Sequence, residues 1–461
     1  MEDYSSYSKQ RHEPVSTGAY QLSYQRPAPA CRTFNSSAVE GVISRMEGVI
    51  ADQDLFRLFE NSYPNTLDTA IKWKGFAANN SEEDLCFIIT GDINAMWIRD
   101  SANQLQSYRS ILNSSTDDIA SLYRGVINLQ ARYLNTSPYC NAFLAPPESG
   151  IPPDINGATY NVKPSYDNRI VFTCNFELDS FAAFLQISHD YYTATGDLSF
   201  FGKFQWTSAV QSLLAVARDM TDPTYAPDGS ALESAYTFQS QTSTSTGTLG
   251  NFGLGNPVNR TGLIRSPFRP SDDASIFQFL VPANAMFARY LAAAADIMTA
   301  LPAAPAGLAQ EMGDVAARLR DAVDRHAIVP APDGSGQIFA FEVDGYGGRN
   351  LMDDANIPSL LSLPFIGYLA RDDPVYQRTR EWVLSERNPW WAQGPVVSAV
   401  GSPHIRPGTA WPMASVVRIL TSGDEVEMEG QLGEILRSTD GLGLVHESVD
   451  SADGSEWTRQ W

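Results

Sequence analysis

Two acidic stretches, far apart in the chain, hold residues that could do acid–base chemistry. The first, SPFRPSDDASIF at residues 266–277, contains Asp272 and Asp273. The second, GLVHESVD at residues 443–450, contains Glu447 after a glycine-rich turn. Hydrolysis of a glycoside requires two carboxyl groups on opposite sides of the scissile bond, one as acid and one as base or nucleophile. The two stretches are therefore candidates for a catalytic pair.

Each candidate also has a structural interpretation. An Asp or Ser directly before an apolar, helix-like run is a common helix start, and such a run extends from Asp273 towards residue 299. One aspartate could cap that helix while its neighbour faces a cleft. Like charges and burial would then raise one pKa, as a general acid requires. For Glu447, the alternative is a solvated loop position.

A third stretch, TGDINAMWIRDSANQL at residues 90–105, surrounds Trp97 with Asp92, Arg99 and Asp100. Carbohydrate sites combine planar faces with polar groups that bind hydroxyls, and the family resemblance described below implies that these four residues contact a sugar. The other candidate substrate-binding residues, in similar polar and aromatic settings, are Asn141, Glu177, Asp179, Arg269, His404, Trp411 and His446.

The composition is that of a globular protein with a neutral ligand. Of the 461 residues, 43% are hydrophobic and 18% are charged, which is enough to build a large core. The net charge of −21 argues against nucleic acid or an anionic membrane as a partner, because both attract basic patches. No Cys/His metal-ligand spacing occurs, so we expect no metal and no cofactor. The four cysteines permit disulfides without requiring them.

The compartment is left open by the sequence. The first residues are polar and show no signal peptide, which favours a cytoplasmic protein by default, and no apolar run is long enough to span a membrane. Five Asn-X-Ser/Thr sequons leave the secretory pathway or an extracellular location open. They begin at Asn35, Asn79, Asn113, Asn135 and Asn259.

Apolar residues recurring at three- and four-residue steps predict a succession of eleven or twelve helices. They start near Ser37 and include segments near 101–113, 117–134, 177–195, 204–220, 274–299, 308–327, 355–371, 373–386, 409–421 and 424–438. Long loops separate them, and few runs are strand-like. This pattern predicts an all-α fold, an (α/α)6 barrel of six helical hairpins whose loops form a cleft at one end. Residues 1–30 are predicted to be a flexible tail and residues 31–461 a single catalytic domain.

Ten stretches in fixed order carry a resemblance to a known family. They are NSYPNTLDTAI, TGDINAMWIRDSANQL, SPYCNAF, FELDS, SPFRPSDDA, FEVDGYG, LMDDANIPSLLSLP, GSPH, WPM and HES. Together they closely resemble glycoside hydrolase family 125, the metal-independent exo-α-1,6-mannosidases, in the branch common in fungi. The resemblance spans about residues 32–461. It implies an (α/α)6 barrel and an inverting mechanism that releases mannose from non-reducing ends.

The resemblance also implies roles for individual residues. The general acid would be Asp272, or else Asp273, and Glu447 would be the general base. The substrate would be a mannose-containing oligosaccharide such as an N-glycan or mannan. The sequence departs from the family pattern at Thr173 and Asn175, which bear on contacts to the leaving group.

Two other classes of function compete with hydrolysis. A catalytically impaired relative could keep the mannoside pocket and have lost turnover. A class I terpene cyclase could also form a helical toroid, but it needs an acid four residues after the first Asp of an Asp-Asp pair. For the candidate pairs Asp117-Asp118, Asp272-Asp273 and Asp353-Asp354, those positions are Ser121, Ile276 and Ile357, none of them acidic.

Overall fold

The computed structural model describes residues 4–114 and 116–460. The α-helices within this part are α1 (Tyr4–Tyr7), α2 (Ser37–Glu47), α3 (Gln53–Ser62), α4 (Ile98–Asn103), α5 (Asp118–Thr136), α6 (Leu178–Thr195), α7 (Leu198–Phe201), α8 (Trp206–Asp219), α9 (Gly250–Gly253), α10 (Val281–Ala300), α11 (Leu308–His326), α12 (Pro374–Val383), α13 (Pro412–Leu420) and α14 (Glu425–Arg437).

Between the helices lie many short strands. They are β1 (Ile71–Ala77), β2 (Asn80–Ile88), β3 (Met96–Trp97), β4 (Ala142–Phe143), β5 (Tyr160–Lys163), β6 (Val171–Thr173), β7 (Thr237–Ser240), β8 (Phe279–Leu280), β9 (Ile328–Pro330), β10 (Gln337–Phe339), β11 (Glu342–Val343), β12 (Arg349–Asn350), β13 (Trp391–Ala392), β14 (Ala399–Val400), β15 (Thr409–Ala410), β16 (His446–Asp450) and β17 (Trp457–Gln460).

The longest helices form the centre of the fold. Helices α6 and α10 are buried on almost every face, and α10 packs against both α6 and α11. Helix α5 packs on α6, α8 and the strand β2. Its first turn is capped by Asp117, whose carboxylate accepts a hydrogen bond from the backbone N–H of Ala120 at 2.6 Å. Burial of these apolar faces supplies the main driving force for folding.

The prediction of an all-α fold was wrong in one respect, because the helix-rich chain also contains antiparallel strands in two- and three-stranded sheets. Eleven of the seventeen strands in the described residues are only two or three residues long, which is too short to produce a period-two pattern in the sequence. Two of the three-stranded sheets matter for the site: β3–β4–β6 and β15–β16–β17.

Two predicted helices also differ from the structure. The segment 355–371 is a series of turns, because Pro358 and Pro364 interrupt the helical pattern. Its backbone is held by buried Asp353, whose carboxylate accepts hydrogen bonds from two backbone N–H groups, Leu360 at 2.8 Å and Leu361 at 2.9 Å. The helix expected to start near residue 274 starts only at Val281.

The segment predicted to be a flexible tail follows a defined path over residues 4–30, whereas residues 1–3 lie outside the described part. Leu22 is completely buried. The Arg26 guanidinium binds the carboxylates of Asp68 at 2.7 Å and Glu40 at 2.6 Å. Polar partners hold this segment, so its low hydrophobicity gave no sign of its packing. That residues 31–461 form one domain stays a prediction.

Within the described residues, no helix has both the length and the apolar character that crossing a membrane requires.

Candidate active site

Asp272 lies in a tight turn rather than at a helix start. The structural alternative, in which one of the two aspartates caps the following helix, was wrong, because α10 begins at Val281 with Leu280 in the cap position. Its φ of 64° is in the left-handed region, which non-glycine residues adopt at a cost in strain. The turn is closed by two backbone hydrogen bonds, from Asp272 N–H to the Arg269 carbonyl at 3.0 Å and from Arg269 N–H to the Asp273 carbonyl at 2.8 Å. Strained backbone of this kind is characteristic of functional sites.

Two neutral groups hold the Asp272 carboxylate. The indole Nε1–H of Trp97 donates to both oxygens, at 3.3 and 3.2 Å, and the Asn141 amide donates to Oδ1 at 2.7 Å. Strands β3 and β4 place these two side chains together, because Trp97 pairs with Ala142 across the sheet. The structure therefore brings predicted residues Trp97 and Asn141 onto the candidate acid.

Asn175, which departs from the family pattern, is part of the same support. Its backbone N–H donates to Asn141 Oδ1 at 3.2 Å, and its side-chain amide donates to the Asp272 carbonyl at 3.4 Å. Thr173 donates its hydroxyl hydrogen to Asn175 Oδ1 at 2.6 Å. A disulfide joins Cys140 to Cys174, the residues directly before Asn141 and Asn175. Asn141 and Asn175 thus help to fix the orientation of Asp272, the candidate acid.

Asp273 is paired with His404, at 3.0 Å between Oδ2 and Nδ1. Burial alone would raise the pKa of Asp273, but the hydrogen bond and charge of His404 outweigh it and hold that pKa below 3.8. For His404, burial lowers the pKa, whereas Asp273 raises it and the net pKa lies above 6.5. His404 also interacts electrostatically with Glu447 and Asp272, so both candidate carboxylates lie around it.

Arg99 is the centre of an acidic cluster. Its guanidinium lies 2.8 Å from Asp100, 3.5 Å from Glu177 and 3.6 Å from Asp179. The side chains of Glu177 and Asp179 are completely buried. Burial raises the pKa of Glu177 well above its ordinary value, and the nearby Asp272 and Asp179 raise it further. Burial also raises the pKa of Asp179. Glu177 and Asp179 therefore lie behind Arg99 and brace it, whereas Asp100 shares the open side with Arg99.

Glu447 lies on β16, in the hairpin that β16 forms with β17. The Thr458 hydroxyl donates to Glu447 Oε2 at 3.1 Å, and the Arg459 guanidinium donates to Oε1 at 3.1 Å. The same guanidinium lies 3.1 Å from Asp92. Sequence reasoning missed Thr458 and Arg459. A β-hairpin predicted from the glycine-containing turn at 451–456 would have placed them beside Glu447.

A cavity of about 780 Å³ brings the predicted sugar contacts together. Predicted site residues that line it are Asp92, Arg99, Asp100, Trp411, His446 and Glu447. His404 meets the Trp411 indole edge to face, with ring centroids 6.3 Å apart. His446 is almost fully buried and stacks on Trp457 at 4.2 Å, so its main role is to support the strand that carries Glu447. The cavity combines aromatic faces with convergent polar groups, the composition of a sugar pocket.

Arg269 differs from its predicted role as a sugar contact. Its side chain is enclosed, and its Nε donates to Glu342 Oε1 at 2.7 Å. Glu342 in turn accepts hydrogen bonds from Phe277 N–H at 3.3 Å and Asn350 Nδ2 at 3.2 Å. Arg269 thus braces the turn that carries Asp272. From the sequence alone, an arginine close to two aspartates could either contact the sugar or brace the backbone, and nothing in the motif distinguishes these two roles.

A second cavity of about 760 Å³ lies next to the aromatic pair of Phe172 and Trp97. Phe172 lines it and meets the Trp97 indole edge to face at 5.6 Å. The other walls carry aromatic, amide and hydroxyl side chains, including Tyr160, Asn161 and Tyr166. Among the described residues, no group of three or more His, Cys, Asp or Glu side chains is arranged to hold a metal ion.

Known proteins resemble this chain in sequence and in structure. Residues 52–461 match the family described as metal-independent alpha-mannosidase (GH125). The chain is 44% identical over 462 residues to the Meiotically up-regulated gene 157 protein of Schizosaccharomyces pombe, covering 100% of this chain and 89% of that protein. It is also similar to a solved Streptococcus pneumoniae structure, described as a metal-independent alpha mannosidase in a non-productive complex with alpha-1,6-mannobiose. That similarity has a TM-score of 0.81 at 29% identity and covers 93% of this chain and 95% of that chain.

Proposed function

Because the chain belongs to glycoside hydrolase family 125, the metal-independent α-mannosidases, we propose that it removes α-1,6-linked mannose from non-reducing ends with inversion of configuration. In this reaction a carboxylic acid protonates the oxygen of the leaving group while a carboxylate activates water on the opposite face of the sugar. The substrate would be a mannose-containing oligosaccharide such as an N-glycan or mannan. We further propose that the helices form an (α/α)6 barrel, which the similarity to the Streptococcus pneumoniae structure supports.

Asp272 is the proposed general acid, and its partners support this choice over Asp273. The low pKa of Asp273, caused by His404, keeps it ionised at neutral pH and unable to give a proton. Asp272 is held only by the neutral N–H donors of Trp97 and Asn141, and no arginine or lysine is bonded to it among the described residues. Within the described part of the chain, Asp272 is therefore free of a bonded cation, whereas Asp273 is paired with His404.

Glu447 is the proposed general base. It lies in the sugar cavity, and Thr458 and Arg459 fix its two oxygens. The observation that carries the proposal is the position of His404. It binds Asp273, the neighbour of Asp272, at 3.0 Å, and the charges of both Asp272 and Glu447 act on it, which supports a single site for the two carboxylates. The mannose would lie between them, with Arg99, Asp100 and Trp411 as its contacts.

The leaving part of the glycan would lie on the Asp272 side, because the acid protonates the oxygen that departs. The second cavity is on that side, next to Phe172 and Trp97. Its tyrosine faces and amide groups suit the sugars that follow the terminal mannose. Thr173 and Asn175 would act here by placing the acid rather than by binding the leaving sugar.

Hydrolysis of linkage isomers tests the proposal. The purified protein, with chelator present, is incubated with α-1,2-, α-1,3- and α-1,6-linked mannobiose, and free mannose is measured. Release from the α-1,6 isomer is expected to be fastest. Comparable or faster release from another isomer would overturn the linkage. Binding of mannose without hydrolysis of any isomer would favour the alternative, a mannoside-binding relative without turnover.

We also propose that the protein passes through the secretory pathway. The Cys140–Cys174 disulfide and the exposed sequon asparagines Asn35, Asn79 and Asn259 support the secretory pathway, because disulfides persist in oxidising compartments. The sequon at Asn113 includes Ser115, which lies outside the described residues. Mass spectrometry of the native protein would find glycan on at least one of these asparagines. Unmodified asparagines and free thiols at Cys140 and Cys174 would contradict a secretory location.

A further inference from the structure

The N-terminal strap, residues 4–26, is anchored by its second half. The Asp54 carboxylate on α3 accepts hydrogen bonds from the Ser16 hydroxyl at 2.5 Å and the Tyr20 N–H at 2.8 Å. Leu22 is completely buried in a cluster with Leu58, Ile435 and Leu436. The strap is therefore fixed to α3 and α14.

Asn61 ties this anchored half to the turn before Glu447. Its amide Nδ2 donates to the carbonyls of Ser23 at 2.9 Å and Gly443 at 2.8 Å, while its Oδ1 accepts from the Gln25 N–H at 2.9 Å. Gly443 has a φ of 70°, and a Cβ there would meet Asn61 and Ser23 at about 3 Å. The strap thus packs directly against the chain that leads into β16.

The first turn of the strap, residues 4–9, is part of the cavity wall. Tyr4, Ser5, Ser8 and Lys9 line the same cavity as Glu447. The Tyr4 hydroxyl donates to the Gln25 carbonyl at 3.2 Å and accepts from Asn65 at 3.2 Å, which fixes its ring against the wall. This turn lies in the part of the chain before residue 52, where the match to the family begins.

We propose that the first turn of the strap is an end stop, which confines cleavage to the terminal mannose. The inference rests on the proposed function. In an exo-acting site the leaving chain needs an open path on the acid side, and the space beyond the terminal sugar must be closed. The turn forms part of the wall of the cavity that Glu447 also lines, where a further sugar attached to the bound mannose would need room. Tyr4 and Lys9 are specificity residues in this arrangement and take no part in proton transfer.

The test uses an α-1,6-linked mannotetraose labelled at its reducing end. Three forms of the full chain are compared: the unmodified protein, a variant lacking residues 4–10, and a Tyr4→Ala/Lys9→Ala double variant. A Tyr20→Ala/Lys203→Ala double variant is the matched control, because both side chains are exposed and neither lines the cavity. Labelled products are resolved at early times, and KM and kcat are measured on an aryl α-mannoside.

The unmodified protein and the control should give labelled trimer as the first product. The variant lacking residues 4–10 should give labelled dimer as well, because an internal linkage can now reach the carboxylates, and its KM should rise several-fold at unchanged kcat. The Tyr4→Ala/Lys9→Ala variant should also give some labelled dimer and a higher KM. If the deletion variant does not fold, the products of this double variant decide whether the first turn limits cleavage to the terminal mannose.

If a folded variant still gives labelled trimer as its sole early product, the end-stop proposal is wrong. This conclusion holds even if the KM of that variant has risen. No mannose release by the unmodified protein would instead overturn the proposed function, and the end stop with it.

Discussion

Asn141 donates its amide hydrogen to Oδ1 of Asp272 at 2.7 Å, the shortest of the side-chain hydrogen bonds to that carboxylate. The same amide accepts from the Asn175 backbone through its oxygen, so its orientation is fixed. A group oriented in this way restricts where the acid can place its proton. The arrangement predicts that Asn141 contributes to turnover without touching water or the nucleophile.

Asn141→Ala should fold and lower kcat about 10²-fold, the cost of a small misplacement of a catalytic group. The loss should be greater for mannobiose than for an activated aryl α-mannoside, since only the poor leaving group depends strongly on the acid. Steady-state kinetics on both substrates measures this. Asn80→Ala, at an exposed asparagine that lines neither cavity, is the control. Equal losses on the two substrates would show that Asn141 acts elsewhere.

Replacement of the two adjacent aspartates should separate their roles. Asp272→Asn removes the proposed acid, so hydrolysis of mannobiose should fall about 10²–10⁴-fold while activated aryl α-mannosides lose much less. Asp273→Asn should lack this dependence on the leaving group, because it disrupts His404 instead. A series of aryl α-mannosides of graded leaving-group pKa gives the comparison. The opposite pattern in the two variants would make Asp273 the acid.

Glu447→Gln should keep the fold and mannose binding but lose about 10²–10⁴-fold in kcat, because the amide cannot accept a proton from water. Binding is followed by calorimetry with mannose, and turnover by mannose release. Glu456→Gln, an exposed position in the same hairpin, should behave as the unmodified protein. Near-normal turnover in Glu447→Gln would remove this residue from the mechanism.

The pairing of His404 with Asp273 should make stability depend on pH. The raised pKa of His404 gives a stabilisation that is complete below pH 6.5 and lost as the pH rises through the raised value. The lowered pKa of Asp273 gives a second stabilisation, which is present above pH 3.8 and is lost as the pH falls through the lowered pKa. The pair should therefore contribute most between these limits, by about 1 kcal/mol, since His404 is partly exposed.

Urea unfolding of the unmodified protein and His404→Asn at several pH values measures this difference. The difference should shrink as the pH rises above 6.5. His326→Asn is a control of opposite sign, because burial lowers the pKa of His326 and so protonation disfavours the folded state. A His404→Asn difference that grows with pH would contradict the charged pair.

The candidate site was predictable from sequence where a local motif carries the chemistry. Trp97 and Asp272 come from such motifs, and the structure joins them by a hydrogen bond across 175 residues of sequence. Asn175 was not predicted as a site residue, because it follows the paired strands β4 and β6, which are too short to leave a sequence pattern. Arg459 was also missed, although the glycine-containing turn at 451–456 would have predicted the hairpin that places it beside Glu447. Arg269 lies close in sequence to the candidate catalytic aspartates, but its side chain binds the buried Glu342.

In the fold, too, features that a local sequence pattern determines were predictable, whereas those that depend on tertiary packing were not. Helices α5, α6 and α11 were predictable because long amphipathic or apolar runs determine them. Asp353, in an Asp-Asp pair of the kind that suggests chemistry, braces backbone N–H groups instead, and burial raises its pKa to about 7. Such a role depends on tertiary burial, which local sequence does not encode.

The most direct test of the account is the configuration of the first mannose released. Proton NMR of the protein acting on α-1,6-mannobiose, with chelator present, resolves the two anomers before they interconvert. The account predicts β-mannose first, since water activated by Glu447 attacks the face opposite the bond that Asp272 breaks. Early α-mannose would contradict inversion and with it the roles assigned to these two carboxyl groups.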